Sequence, residues 1–188
     1  SAVIVLNALR IEDPSIEKPK DTRSIPPEVA KALPPHFDPF LRRYTQGTFF
    51  DERFEKAKPK GVFFGRPPGE GQRPDPGLQI GQLALILEAH GLAVELHVVS
   101  DDAKDDVLEK ALIANLKTPG DYVLVNYHRE ALGQKGGGHI SPLGAYDLKS
   151  DSFLIMDVNA TTQPWVWAPA RALLAAMRTK DREQNRGF

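Results

Sequence analysis

Three β-rich runs stand close together in the second half of the chain: Tyr122 to His128, His139 to Tyr146, and Phe153 to Val158. The last two are separated only by the neighbourhood of Lys149-Ser150-Asp151. A link that short folds back as an antiparallel hairpin, because parallel pairing needs a crossover of about a dozen residues or more. Helical patterns precede the runs. Gln79 to His90 repeats Leu83, Ile86 and Leu87 at helical spacing and stops at Gly91. Ser100 with Asp101 and Asp102 is the expected cap of a helix whose Val107, Leu108, Ala111, Leu112 and Leu116 share one face. Residues 1 to 9 read as the end of a buried helix, and a short helix is expected over Pro27 to Leu33 within a loop-rich stretch from Arg10 to Lys60. Leu92 to Val98 alternates apolar and polar residues and predicts a half-buried strand. A last helix is expected over Ala170 to Met177, entered from Pro169. Helices first and a strand meander afterwards predict an α+β fold with helices packed on an antiparallel sheet, not a doubly wound parallel one.

At 188 residues the chain is read as one domain, residues 1–188, large enough for a single sizeable core. Twenty-four basic residues stand against 25 acidic ones, so no global field recruits nucleic acid or an anionic membrane. The apolar stretch Ala2 to Leu6 is far too short to span a bilayer. Residues 65 to 77 carry too much Pro and Gly for a regular element and are expected to form a mobile surface loop. The chain opens at Ser1, already inside the apolar run Ala-Val-Ile-Val-Leu, with no cap before it. It is therefore read as N-terminally incomplete. There is no cysteine.

The chemistry concentrates in the hairpin. His139 follows Gly136-Gly137-Gly138 and opens one expected strand, and Asp157 closes the next. If the two strands are neighbours, cross-strand positions lie roughly 5 Å apart and the carboxylate can hold one ring nitrogen of the imidazole. The other nitrogen then faces a nucleophile and takes its proton, which is the base-and-orienter half of a nucleophilic triad. The glycines leave room for a substrate backbone to approach. A His and an Asp near strand ends are more often structural, and spacing alone leaves both readings open. His36, His90, His97 and His128 show no metal-type spacing, so no metal site is expected. Trp165 and Trp167 are read as core or rim packing, and Asp101, Asp102, Asp105 and Asp106 as a solvated helix start.

Several segments together are more specific. Gly137 to Tyr146 (Gly-Gly-His-Ile-Ser-Pro-Leu-Gly-Ala-Tyr) and Phe153 to Val158 resemble the core of the phytochelatin synthase family. Val3 to Leu9, Thr45-Gln46 with Phe49-Phe50, Val123 to Tyr127, Val166-Trp167, Ala176-Met177 and Arg186-Gly187-Phe188 match it in order. The resemblance lapses over roughly 10 to 40 and 55 to 77, where this chain carries its own Pro-rich insertion.

The resemblance implies a papain-like cysteine peptidase fold and a reaction on glutathione. In that reaction a Cys attacks the cysteinyl-glycyl amide, glycine leaves, and the γ-glutamylcysteinyl group rests on the enzyme as a thioester. It then passes to a second glutathione or to water. It also implies that His139 and Asp157 are catalytic. Arg186 would clamp the glutamyl carboxylate, with Asp181 as its partner and Gly138 at the substrate. The family's nucleophile opens a segment that would precede Ser1, and the glutamine of its oxyanion hole lies further upstream. No organic cofactor is implied. Cd²⁺ or Zn²⁺ would enter as glutathione thiolate complexes, and a homodimer fits the family's tendency. Without a Cys-rich second domain, hydrolysis is expected to outrun polymer synthesis. A non-catalytic glutathione or thiol-metal binder and a papain-like peptidase remain the alternative readings.

Overall fold

The computed structural model describes residues 1–12, 18–65, 74–159, 163–182 and 184–188. Most of the Pro- and Gly-rich loop expected at 65 to 77 lies outside the described residues. The helices are α1 (Ala2–Glu12), α2 (Pro27–Ala32), α3 (Asp38–Leu41), α4 (Gln46–Phe49), α5 (Glu52–Ala57), α6 (Lys60–Phe64), α7 (Ile80–Ala89), α8 (Asp105–Lys117) and α9 (Ala170–Arg178). The strands are β1 (Leu124–His128), β2 (Gly138–Asp147), β3 (Ser152–Ile155) and β4 (Val166–Pro169). Among the described residues they form one antiparallel sheet in the order β1-β2-β3-β4. The protein is thus α+β, as the order of patterns predicts.

Side chains alternate across a strand, so the sheet has two differently clothed faces. Val125, Tyr127, Leu143, Phe153 and Ile155 face one way and pack with Leu108 and Leu112 of α8 and Leu173, Leu174 and Met177 of α9. Leu124 and Ile140 face the other way and join Ala2, Val5 and Leu6 of α1, Phe49 and Phe54 of α4 and α5, and Leu83, Ile86 and Leu87 of α7. The stretch Arg10 to Lys60 is more helical than a loop-rich reading allows. Thr45 and Asp51 cap α4 and α5 through their side chains, which lets helices of four to six residues form one after another.

Two expectations are corrected and a third is narrowed. Leu92 to Val98 is not a strand; it carries a single bridge, at Val98. It pairs only locally, His97 exchanging backbone hydrogen bonds with Phe188 and Val99 donating to the Arg186 carbonyl. Leu96 and Val98 are accordingly exposed. The helix after Ser100 starts at Asp105 with Lys104 before it and no side-chain cap, so Ser100, Asp101 and Asp102 lie in the preceding turn. Of the two places read for Trp165 and Trp167, the core is excluded and the rim stands: they are 60% and 48% exposed, and Trp167 sits on β4, a strand too short to read from its sequence.

The C-terminal residues are locked into the body. Gly187 bridges Val98 on one side and Asn126 of β1 on the other. A Cβ at Gly187 would fall 1.9 Å from the His97 carbonyl oxygen, so only glycine fits this crossing. That seam places Arg186 beneath the start of β2.

Candidate active site

Tyr127 and His139 are register partners on β1 and β2, so their rings project to the same face and meet edge to face at 6.2 Å. Asp157 is not a direct cross-strand partner of His139. β3 ends at Ile155, opposite Leu143, and Asp157 reaches the imidazole diagonally from the segment beyond the strand. Its Oδ1 lies 3.0 Å from His139 Nε2. The two atoms lie within hydrogen-bond distance, although the ring N–H is not aimed straight along that line. Asp157 is 2% exposed and stands behind the ring.

The carboxylate is held from three further directions. Arg129 Nη2 donates to Oδ2 at 2.5 Å, the Asn159 N–H donates to Oδ1 at 2.8 Å, and the Tyr127 hydroxyl approaches Oδ2 at 3.5 Å. Burial alone would raise the Asp157 pKa. The Arg129 and Asn159 donors and the neighbouring imidazole outweigh it, and the carboxyl sits below the ordinary carboxylate range. For His139, burial lowers the pKa; the Asp157 charge opposes this and the Arg129 charge reinforces it, leaving a ring biased to the neutral form. Arg129 went unremarked in the sequence. It is the first residue after β1, in the turn that follows His128, and its guanidinium reaches Asp157 from there.

His139 opens onto a cavity of about 850 Å³. Gly138, Asp181 and Arg186 line it as well, so the sequence-derived site residues come together, Asp157 alone standing one layer behind. Arg186 is buried, 5% exposed, despite its place near the chain end. Its Nη1 donates to the Thr179 and Lys180 carbonyls and to the Thr179 hydroxyl, its Nη2 lies 3.5 Å from Asp181 Oδ1, and its Nε has no partner. Asn126, 1% exposed, donates to the other Asp181 oxygen at 3.2 Å. Gly138 has a reason beyond substrate approach, since a Cβ there would lie 2.7 Å from Arg186 Nη2. The N-terminal end of α1 abuts this wall: the Ser1 hydroxyl donates to the carbonyl of Ile140, and Ser1 lines the same cavity. Among the described residues no three His, Asp or Glu side chains gather as a metal-binding group, and no helix is long and apolar enough to cross a membrane.

A half-buried imidazole backed by a buried, charge-compensated carboxylate at a cavity wall is the arrangement of general-base and nucleophile-activating sites. The family follows from comparison: the chain belongs to the phytochelatin synthase family, whose model matches residues 39–188. It is 33% identical over 106 residues to a Lotus japonicus glutathione gamma-glutamylcysteinyltransferase 3, covering 56% of this chain and 22% of that protein. It is 31% identical over 116 residues to glutathione gamma-glutamylcysteinyltransferase 2 of Arabidopsis thaliana, covering 61% and 25%. The fission yeast Schizosaccharomyces pombe enzyme of the same name is 25% identical over 114 residues, covering 60% and 27%. The matched part of the chain thus spans about a quarter of the length of these relatives.

Proposed function

We propose that this chain is the larger part of a papain-like catalytic domain that transfers the γ-glutamylcysteinyl group of glutathione, with glycine as leaving group. The observation that carries this reading is the His139–Asp157 pair at 3.0 Å on the wall of a cavity that also holds Arg186 and Asp181. The reading calls for a thiol nucleophile, and the N-terminal end of α1, where the Ser1 hydroxyl meets the Ile140 carbonyl at the cavity wall, is where a cysteine would reach His139.

With Asp157 engaging Nε2, Nδ1 is the nitrogen that takes the thiol proton. The thiolate adds to the cysteinyl carbonyl carbon, forming a C–S bond. The C–N bond then breaks as the imidazolium returns its proton to the departing glycine amine. In the second half, His139 removes a proton from water or from the α-amine of a second glutathione. A C–O or C–N bond forms, and the C–S bond breaks to regenerate the thiolate. Asp157 stays ionised throughout because Arg129 and Asn159 hold it so, and it stabilises the imidazolium of each half-reaction. Arg186 and Asp181 together suit an α-amino-acid zwitterion, the guanidinium taking the glutamyl carboxylate and the aspartate its ammonium. Metal ions enter as glutathione thiolates, as part of the substrate. Water, at far higher concentration, wins the thioester unless the acceptor amine is positioned, so γ-glutamylcysteine and glycine are the main products. The test is product analysis of the full-length protein with glutathione, with and without Cd²⁺. Glycine release that disappears in His139→Ala is expected; undiminished release in that variant overturns the reading.

A further inference from the structure

One group of charges on the cavity wall has no part in that chemistry. Lys58 is 5% exposed, an unusual state for a lysine, and follows the end of α5. Its ammonium donates to Asp75 Oδ2 at 2.9 Å and to the carbonyl of Gly77. Arg182 reaches the same Asp75 oxygen with Nη1 at 2.5 Å. Lys58, Asp75 and Arg182 all line the cavity that holds His139. Two cations therefore share one carboxylate, and the cluster carries a net positive charge. The Lys58 hydrogen bond foremost, with the Arg182 charge, holds Asp75 below the ordinary carboxylate range, so its negative charge persists at neutral pH. Lys58 and Asp75 both lie within the range 39–188 that the family model matches.

The two charged groups of the cavity differ in kind. Arg186 and Asp181 balance one another and suit a ligand end that bears both signs. Lys58, Asp75 and Arg182 leave a positive excess and suit a lone carboxylate. Glutathione has one end of each type: an α-amino-acid head at the glutamyl residue and an isolated carboxylate at glycine. We propose that Lys58 and Arg182 form a second anion subsite in this cavity that takes the glycyl carboxylate of the tripeptide. The assignment rests on the glutathione reading above and adds to it a determinant that selects a free C-terminal glycine. Asp75 acts as the internal counter-ion, placing both cations while lowering their pull on the ligand.

The experiment compares glutathione with its glycyl monoethyl ester, in the full-length protein, by the rate of γ-glutamylcysteine formation from each. The ester removes only the charge that the subsite reads. The wild type is expected to favour glutathione through KM by about tenfold, the size of one charged contact. Lys58→Met and Arg182→Gln should each shrink that preference towards unity by raising KM for glutathione while leaving KM for the ester unchanged. Asp75→Asn should move the other way, because it removes the competing carboxylate, and enlarge the preference. A group that merely ties the 74–79 segment to the body would lower thermal stability in all three variants and leave the glutathione-to-ester ratio at its wild-type value. That outcome, or equal use of both substrates by the wild type, overturns the subsite. Absence of γ-glutamylcysteine from either substrate would instead count against the parent reading.

Discussion

The two sides of the His139 cavity are built by different means. On the sheet side, His139, Asn126 and Gly138 occupy strand positions whose direction follows from ladder register, and Arg186 is pinned by a backbone seam against β1 and residues 97–99. On the helical side, Phe49, Phe50, Lys58, Phe63 and Gln79 come from short helices and their connections. There Phe50, Phe54 and Phe63 hold one another by ring contacts near 5 Å, with no ladder to set their positions. A sheet places atoms to within the tolerance that proton transfer requires, whereas a packed aromatic wall can change its residues and keep its shape. The difference points to a division of labour: proton transfer on the sheet side, where Arg186 also holds the glutamyl head, and selection of the glycyl end through Lys58 on the helical side. Substitutions should then separate into those that lower kcat and those that alter substrate preference.

The largest expected effect is on the sheet side. His139→Ala should lower glycine release by about a thousandfold or more with little change in the far-ultraviolet circular dichroism, since the ring moves protons and fills little of the core. Arg129→Gln comes next. It removes the cation that compensates a buried carboxylate, and about a hundredfold loss in kcat with a steady KM is expected. Arg129→Lys should restore part of it, the charge being kept and the guanidinium geometry lost. A rise in KM alone, with kcat intact, would break the proposed division and move Arg129 to substrate binding.

Acid should act on the same centre in two stages. The folded-state pKa of His139 lies below that of the unfolded chain, so the unfolded chain takes up the proton first, and stability falls as pH drops below about 6.5. The depressed pKa of Asp157 contributes stability that is fully present above the unfolded value of about 4 and is lost as pH falls through the folded one. Denaturant midpoints between pH 8 and pH 3.5 should show both stages in the wild type. His139→Gln should lack the upper one, and an unchanged upper stage would assign it to another group. The smallest effect belongs to Tyr127→Phe. The hydroxyl stands at the limit of hydrogen-bond distance from Asp157, at 3.5 Å, and a change in kcat of no more than about threefold is expected.

Much of this was open to the sequence. The antiparallel pairing of β2 and β3 follows from the short turn at Lys149-Ser150-Asp151, and α7 and α9 follow from apolar spacing, Gly91 and Pro169. Those features depend on neighbours a few residues apart, and local sterics suffice to decide them. His139 and Asp157 were legible because one hairpin joins them, although their contact is diagonal and starts beyond the end of β3.

Tertiary structure alone decided the rest. Leu92 to Val98 alternates like a strand, yet whether such a segment becomes one depends on a partner edge, and among the described residues its backbone pairs with the short tail at 186–188. Resemblance marked Arg186 as a clamp, but its burial is decided by Gly187, which bridges Val98 and Asn126 and carries it under Gly138. Arg129 gains its meaning from Asp157, 28 residues away. Lys58 gains its meaning from Asp75 and Arg182 on two distant segments. Periodicity reports which face a side chain takes; which charge stands opposite it is set by long-range packing, through contacts that no local pattern encodes.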